Sequence, residues 1–489
     1  MEKPKLSKKI LIYLGIFITV EVLSYFSLTS SALNQVLFAI IFLAGLGVSI
    51  YRLEYGLLVA LGELLIGSMG HLYTISLGDY SVAIRMALWA AILAAFVIKF
   101  IGQLIKDKKR SRYLQSLKNF NTGKYFLLLA AFVIIGFINA WLRGHSFNLI
   151  FSDINSWFYY LLLVPAVAVY GENDKSIFNN LKTLFIAGAL WLSLKTLILL
   201  YIFTHNLSIA PDIYLWLRKT LVGEMTPTLS GWPRIFIQGQ IYSGLALFLT
   251  FWINLKKLKK YSVLIFGAIF SSALLISFSR SFWVALIVSI IFSLILVWRF
   301  FSLRKAVSAA IWFTLSFALG FVLIYLVAIF PYPTPGNFNA DFISRVSNGN
   351  ESALTSRWSL LPVLVSEIKK EPILGQGYGA TITYISSDPR VLEKNPSGEY
   401  TTYAFEWGYL DLWLKIGLLG LLAYLILLFY LINNALINGR KNDDYLQFGL
   451  AVGVVFLAVT HLFTPYLNHP LGMGILIIGA CLIRKDRVY

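Results

Sequence analysis

Acidic residues and cysteine are scarce in this chain of 489 residues: 23 Asp and Glu stand against 41 Lys and Arg, and Cys481 is the only cysteine. A single thiol excludes a disulfide framework and a thiolate metal site. Histidine is also thin, and His71, His145, His205, His461 and His469 show no His-x-x-x-His spacing. No metal site and no cofactor are expected from that pattern. Charge of either sign is rare, at 13% of residues, whereas 58% are hydrophobic. No soluble domain buries so much apolar surface, so the composition describes an all-α polytopic integral membrane protein.

Apolar runs recur along the chain, and a hydrocarbon core about 30 Å thick implies about fourteen transmembrane helices. They fall near residues 10–27, 33–50, 55–73, 81–105, 125–142, 157–170, 183–203, 236–255, 262–277, 281–298, 306–330, 408–431, 448–463 and 471–483. The first run is long enough to span and no clear small-residue cleavage site follows, which predicts a retained helix rather than a signal peptide. Lys and Arg gather at Lys3/Lys5/Lys8/Lys9, Lys106/Lys108/Lys109/Arg110/Arg112, Lys256/Lys257/Lys259/Lys260, Arg299/Arg304/Lys305, Arg440/Lys441 and Arg484/Lys485/Arg487. Cytoplasmic loops collect such charge near helix ends, and alternation through the helices puts every cluster on one side, with both termini in the cytoplasm. The formal charge of +18 is thus spread as topology and contact with anionic membrane lipids. No nucleic-acid partner is expected.

This topology leaves a long polar loop outside, residues 331–407, of roughly 75 residues and too long for a simple connector. A shorter outer segment, 205–235, contains IYLWLRKTL with Arg218 and Lys219, a mixture suited to a helix lying in the interface or to an ordinary aromatic-anchored connector. The expected organisation is therefore N-terminal transmembrane helices with that interfacial segment over 1–235, central helices over 236–330, the extracytoplasmic loop domain over 331–407, and C-terminal helices over 408–489.

Ionisable groups at membrane depth or at its edge are expensive and often functional. Arg280 lies in Ser277-Phe278-Ser279-Arg280-Ser281 between two apolar runs, where a guanidinium is suited to bidentate capture of phosphate oxygens or to snorkelling. Arg234, after Gly231-Trp232-Pro233, stands at a second outer helix entrance, and together they would fit a diphosphate. Arg357 heads an amphipathic stretch with Trp358, Leu361, Leu364, Val365 and Ile368 at helical spacing, a packing stripe. Gly375-Gln376-Gly377-Tyr378-Gly379 lacks a preceding strand and is expected to be a flexible turn. Glu406, just before the 408–431 run, suits a proton acceptor whose partial desolvation tunes it, or a carboxylate stabilising a helix N-terminus. Asp411 and Lys415 are spaced for an intrahelical pair, whereas Glu63 and Lys195 need partners that spacing does not name.

Ser-x-Ser-Arg at Ser277 to Arg280, the outer loop with Arg357 and Gly375-x-Gly377, and Gly417-x-x-Gly420 in the following helix resemble the O-antigen ligase and O-antigen polymerase superfamily of bacterial envelope glycan enzymes. Ligases of that family carry a His and a small polar residue ahead of the paired glycines, and here Glu406 and Trp407 stand in those places. Ligation and polymerisation both stay open. The resemblance implies a C-type glycosyltransferase fold, and transfer of a glycan from an undecaprenyl-diphosphate-linked donor to a hydroxyl acceptor on the outer face of the bacterial cytoplasmic membrane. The acceptor would be a second glycan or a lipid A-type molecule. Glu406, Arg280 and Arg234 would be catalytic, and Arg357, Ser277, Ser279, Ser281, Arg218 and Lys219 would bind substrate. Inverting, metal-independent transfer is expected. A flippase or transporter of lipid-linked oligosaccharide is the alternative, although no internal repeat between the halves supports it.

Overall fold

The computed structural model describes residues 6–78, 80–107, 112–170, 175–228, 230–257, 260–332, 336–347 and 352–483. Of the basic clusters, Lys3, Lys5, Lys108, Lys109, Arg110, Lys259, Arg484, Lys485 and Arg487 lie outside the described residues.

Within hydrocarbon every backbone polar group needs an internal partner, so apolar runs close their hydrogen bonds as helices. Each apolar run read from the sequence lies for most of its length on a helix or a series of helices. Among the described residues nine stretches are long and apolar enough to cross a membrane: Lys8–Ser27, Ser31–Tyr51, Ile84–Lys106, Gly123–Leu142, Phe147–Tyr170, Ile177–Thr204, Arg280–Phe300, Leu303–Ile329 and Gly408–Lys441. Tyr261–Ile276, Tyr445–His461 and Pro470–Leu482 are shorter apolar helices.

Three runs differ from expectation at their ends, one of them the run at 81–105, which opens on the strand Tyr80–Ala83 and is helical only from Ile84. The run at 55–73 is helical only over Leu53–Gly67, 15 residues. Ser68 turns the chain at a φ of 49°, and an antiparallel hairpin of β1 (Thr74–Leu77) and β2 (Tyr80–Ala83) follows. The run at 236–255 starts within a second hairpin, in which β3 (Gly223–Pro227) pairs with β4 (Pro233–Ile237), and becomes α-helical only at Ile241. Pro233 lacks a donor and suits a strand start, while β-branched Ile235 and Ile237 fit a pleated surface.

Charges inside the bundle are paired, as the cost of burying them requires. Arg85 holds Glu63 at 2.7 Å. Lys195 lies 2.5 Å from Glu21, which also accepts from the Trp191 ring nitrogen at 2.9 Å. The intrahelical pair expected for Asp411 and Lys415 is present at 2.6 Å, and Asp153 joins it at the same distance from Lys415.

The 331–407 region folds into the helices Phe338–Ser347, Ser352–Lys370 and Pro389–Lys394 and an antiparallel hairpin of β5 (Ile382–Ile385) and β6 (Glu399–Thr402). Leu360, Leu364, Ile368, Ala380, Ile382 and Phe405 form a small core there with Leu414 of the following helix. The expected stripe is corrected: Leu364 and Ile368 lie in this core with Leu360, whereas Leu361 and Val365 are only partly buried and Trp358 is 55% exposed.

The 375–379 segment is the opposite of a flexible turn. Gly417 adopts φ 72° and ψ 176° and breaks the helix Gly408–Lys441, leaving backbone groups on both sides that need partners. Residues 372–377 supply them. Gln376 and Gly377 amides donate to the Leu414 and Lys415 carbonyls at 2.7 and 3.2 Å, and the Leu418 and Leu419 amides donate to Pro372 and Ile373 carbonyls at 2.9 and 3.3 Å. Gly377 sits so close to the helix Gly123–Leu142 that a Cβ would lie 2.3 Å from the Ala140 nitrogen, at a φ of 91° that only glycine tolerates well.

Candidate functional site

The hairpin β3–β4 carries Arg234 to the loop between two helices where Arg280 stands. Arg234 Nε donates to the Ser277 carbonyl at 3.0 Å, and its guanidinium lies over the Phe236 ring at 5.4 Å. Glu224, across the hairpin, lies 3.7 Å from Arg234 and 3.3 Å from Arg218, which ends the helix Ala210–Lys219. The sequence pointed to Arg218, Arg234 and Arg280 separately; Glu224, which ties the first two together, had no motif to mark it. Lys219 is exposed at the end of the same helix, outside this chain of contacts.

The Ser-x-Ser-Arg loop is held in a tight conformation. Ser277 Oγ donates to the Leu274 carbonyl at 2.6 Å and accepts from the Ser279 amide at 3.2 Å. Ser279 and Ser281 hydroxyls are 2.9 Å apart, and Thr464 donates to Ser281 at 3.1 Å. All three serines are buried, and their hydroxyls bond to backbone, to one another or to Thr464, support that a turn without a glycine needs. Phe278 within it has a φ of 48° and is fully buried, a strained backbone of the kind that surroundings must hold in place. Arg280 is partly buried at the first position of the helix Arg280–Phe300. A cation there meets the positive end of the helix dipole, so the position favours an incoming anion.

The 331–407 region covers this loop. Phe338 packs edge-on against Phe278 at 5.3 Å and against Trp232 at 4.9 Å. Asp341, on the same helix, accepts from Thr228 at 2.5 Å and from the Ser230 amide at 3.1 Å. It thereby fastens the region to the turn that precedes Arg234, a role that sequence spacing does not reveal.

Arg357 pairs directly with Glu406. Glu406 is 52% exposed, half open to solvent beside the Arg357 guanidinium. It is not the helix cap, a position taken by Trp407 without a side-chain hydrogen bond. The Trp407 indole donates to the Arg357 carbonyl at 3.0 Å and its ring packs against Phe463 at 5.8 Å. Phe463 adjoins Thr464, the partner of Ser281, so the Arg357–Glu406 pair and the Arg280 loop lie at the same end of the bundle, joined by the 463–464 segment. Tyr384 on β5 is near enough to feel the Glu406 charge: burial pushes its hydroxyl above the usual phenol range, a hydrogen bond with Ser386 opposes this, and the carboxylate adds to the rise.

The family model described as O-antigen ligase matches residues 265–425. That stretch contains Ser277 to Arg280, Arg357, Gly375 to Gly379, Glu406, Gly417 and Gly420, and it leaves Arg218, Lys219 and Arg234 outside. No curated protein matches the chain. Residues 265–425 are thus similar to the O-antigen ligase family, and the helices around them are those of a polytopic membrane protein.

Proposed function

We propose that this protein transfers a glycan from an undecaprenyl-diphosphate-linked donor to a hydroxyl acceptor on the outer face of the cytoplasmic membrane, as an O-antigen polymerase or ligase. The observation that carries this is the hydrogen bond from Arg234 to the Ser277 carbonyl, which joins two arginine-bearing segments far apart in sequence. A diphosphate needs such a clamp, because its charge grows as the bond to the anomeric carbon breaks.

In the proposed step the acceptor oxygen attacks the anomeric carbon, the carbon–oxygen bond to the diphosphate breaks, and the electron pair leaves on the polyprenyl diphosphate. Arg280 and Arg234 hold that leaving group, with Arg218 and Lys219 drawing it toward the interface. Glu406 receives the acceptor proton, and Arg357 orients Glu406 or engages phosphate. Direct displacement inverts the anomeric centre. The leaving group carries its own activation, so guanidinium groups serve where other transferases use a metal. On this reading the chain has a C-type fold of about fourteen spans, with both termini cytoplasmic and the 331–407 region outside, on the face where the donor is presented.

Purified protein with a defined polyprenyl-diphosphate glycan and either a second donor molecule or a lipid A acceptor tests the proposal. Longer glycans identify a polymerase, and glycosylated lipid A identifies a ligase. If neither forms while the donor crosses a bilayer, the chain is a flippase and the enzymatic proposal is wrong.

A further inference from the structure

We infer that Trp358, with Trp407 and Tyr384, forms a sugar-stacking subsite beside Glu406 that holds a pyranose ring of the acceptor glycan. This rests on the transfer reaction proposed above, since the acceptor is the substrate whose hydroxyl must reach Glu406.

Trp358 breaks the pattern of its own helix. Leu360, Leu364 and Ile368 point into the small core of the 331–407 region, while Trp358 keeps 55% of its surface open. Isolated exposed apolar side chains are ordinary, but this indole is not isolated. It meets Trp407 edge-on at 5.5 Å and 62°, and the Trp407 ring is itself fixed by its bond to the Arg357 carbonyl at 3.0 Å. The next residue along from Trp407 is the exposed Glu406, held by Arg357. Tyr384 adds a phenol close to that carboxylate and packs against Tyr400 at 6.0 Å.

An open indole beside a carboxylate and a guanidinium matches the two faces of a pyranose. The ring's C–H face packs on an aromatic surface, and its hydroxyls bond to charged groups at the rim. A lipid chain makes use of the indole and offers no hydrogen-bonding group to the Arg357–Glu406 pair at the rim, so the mixed character favours sugar. The ring could belong to donor or acceptor; the acceptor is assigned because the carboxylate lies at the same rim.

The test uses the full chain in lipid nanodiscs. The probes are the free oligosaccharide released from the host's surface glycan and the same repeat on polyprenyl diphosphate. Trp358→Ala is expected to weaken binding of the free oligosaccharide about tenfold in ligand-observed NMR. It should raise KM for the acceptor by a similar factor, while KM for the donor and kcat stay within about twofold. Trp358→Phe, which keeps a ring, should recover most of the loss, and matching thermal melts guard against misfolding. Equal oligosaccharide binding by wild type and both variants overturns the inference, as does a shift in donor KM alone. A change only in affinity for empty nanodisc lipid makes Trp358 an interface anchor and also overturns it. Wild type that binds oligosaccharide through Trp358 yet transfers nothing refutes the transfer reaction and leaves the sugar subsite standing.

Discussion

Lys415 is 4% exposed between Asp153 and Asp411, at 8% and 1%, whereas Arg357 and Glu406 are 32% and 52% exposed. The first cluster is committed on every side. Asp153 accepts the Gly379 amide at 2.9 Å and Asp411 accepts Asn468 at 2.6 Å, so the ions bind the 375–379 segment, the broken helix and the 464–469 segment together. Removing one member strands a charge in a dry site. The second cluster faces solvent, where an ion pair contributes about 1 kcal/mol or less. Weak mutual attraction leaves both groups able to exchange one another for a substrate. Burial thus separates the ions that hold the fold from the ions available for chemistry.

The sharpest test of that separation is Glu406→Gln. It should lower transfer by about 10²–10⁴-fold, the range of a lost general base, while donor binding and the melting profile stay at wild-type values. Initial rates and a donor titration measure both, and an unchanged rate reduces Glu406 to a surface ion partner. Lys415→Met should behave in the reverse sense, costing about 3–5 kcal/mol of stability by leaving buried carboxylates without their cation. Thermal unfolding in detergent reads this out, and a wild-type melt would erase the contrast between the clusters.

Arg280→Lys comes next, with an expected loss of about 10²-fold in turnover because an ammonium cannot reproduce bidentate contact with phosphate oxygens. Steady-state kinetics against donor concentration decide it; full activity removes Arg280 from the diphosphate clamp. The smallest effect belongs to Glu367. Partial burial raises its carboxyl, but hydrogen bonds from Lys370 and Gln376 outweigh this and hold it below its ordinary value of 4.5. A depressed folded value means the contribution is present above the unfolded value and is lost as pH falls through the folded one. Stability should therefore drop by about 1 kcal/mol or less on acidification below the ordinary carboxylate range, and Glu367→Gln should flatten that part of the profile.

Much of the helical framework is legible in the sequence because an apolar run is a local property, and hydrocarbon leaves it one way to satisfy its backbone. The exceptions are local too: Pro233 and the β-branched residues after it suit the strand the structure shows, a mark that the hydropathy reading passed over. Ion partners are legible only when they share a helix turn, as Asp411 and Lys415 do. Glu21 with Lys195 and Asp153 with Lys415 are separated by 174 and 262 positions, and no spacing rule reaches that far. At the candidate site, the types of residue were readable, but their company was not. Glu224, Asp341 and Thr464 enter through contacts made by the folded chain, and so does the bonding of the serine hydroxyls around Arg280 to their own turn.

The break at Gly417 also sets an order of assembly. Residues 372–377 complete the hydrogen bonding of the helix Gly408–Lys441 and precede it in the chain. Synthesis therefore delivers the plug before the helix that needs it, and a chain trimmed of its 331–407 region would present an open backbone gap in its own membrane-embedded helix. Through residues 372–377 that region completes the helix Gly408–Lys441, so its deletion is expected to abolish accumulation of the protein as well as its activity.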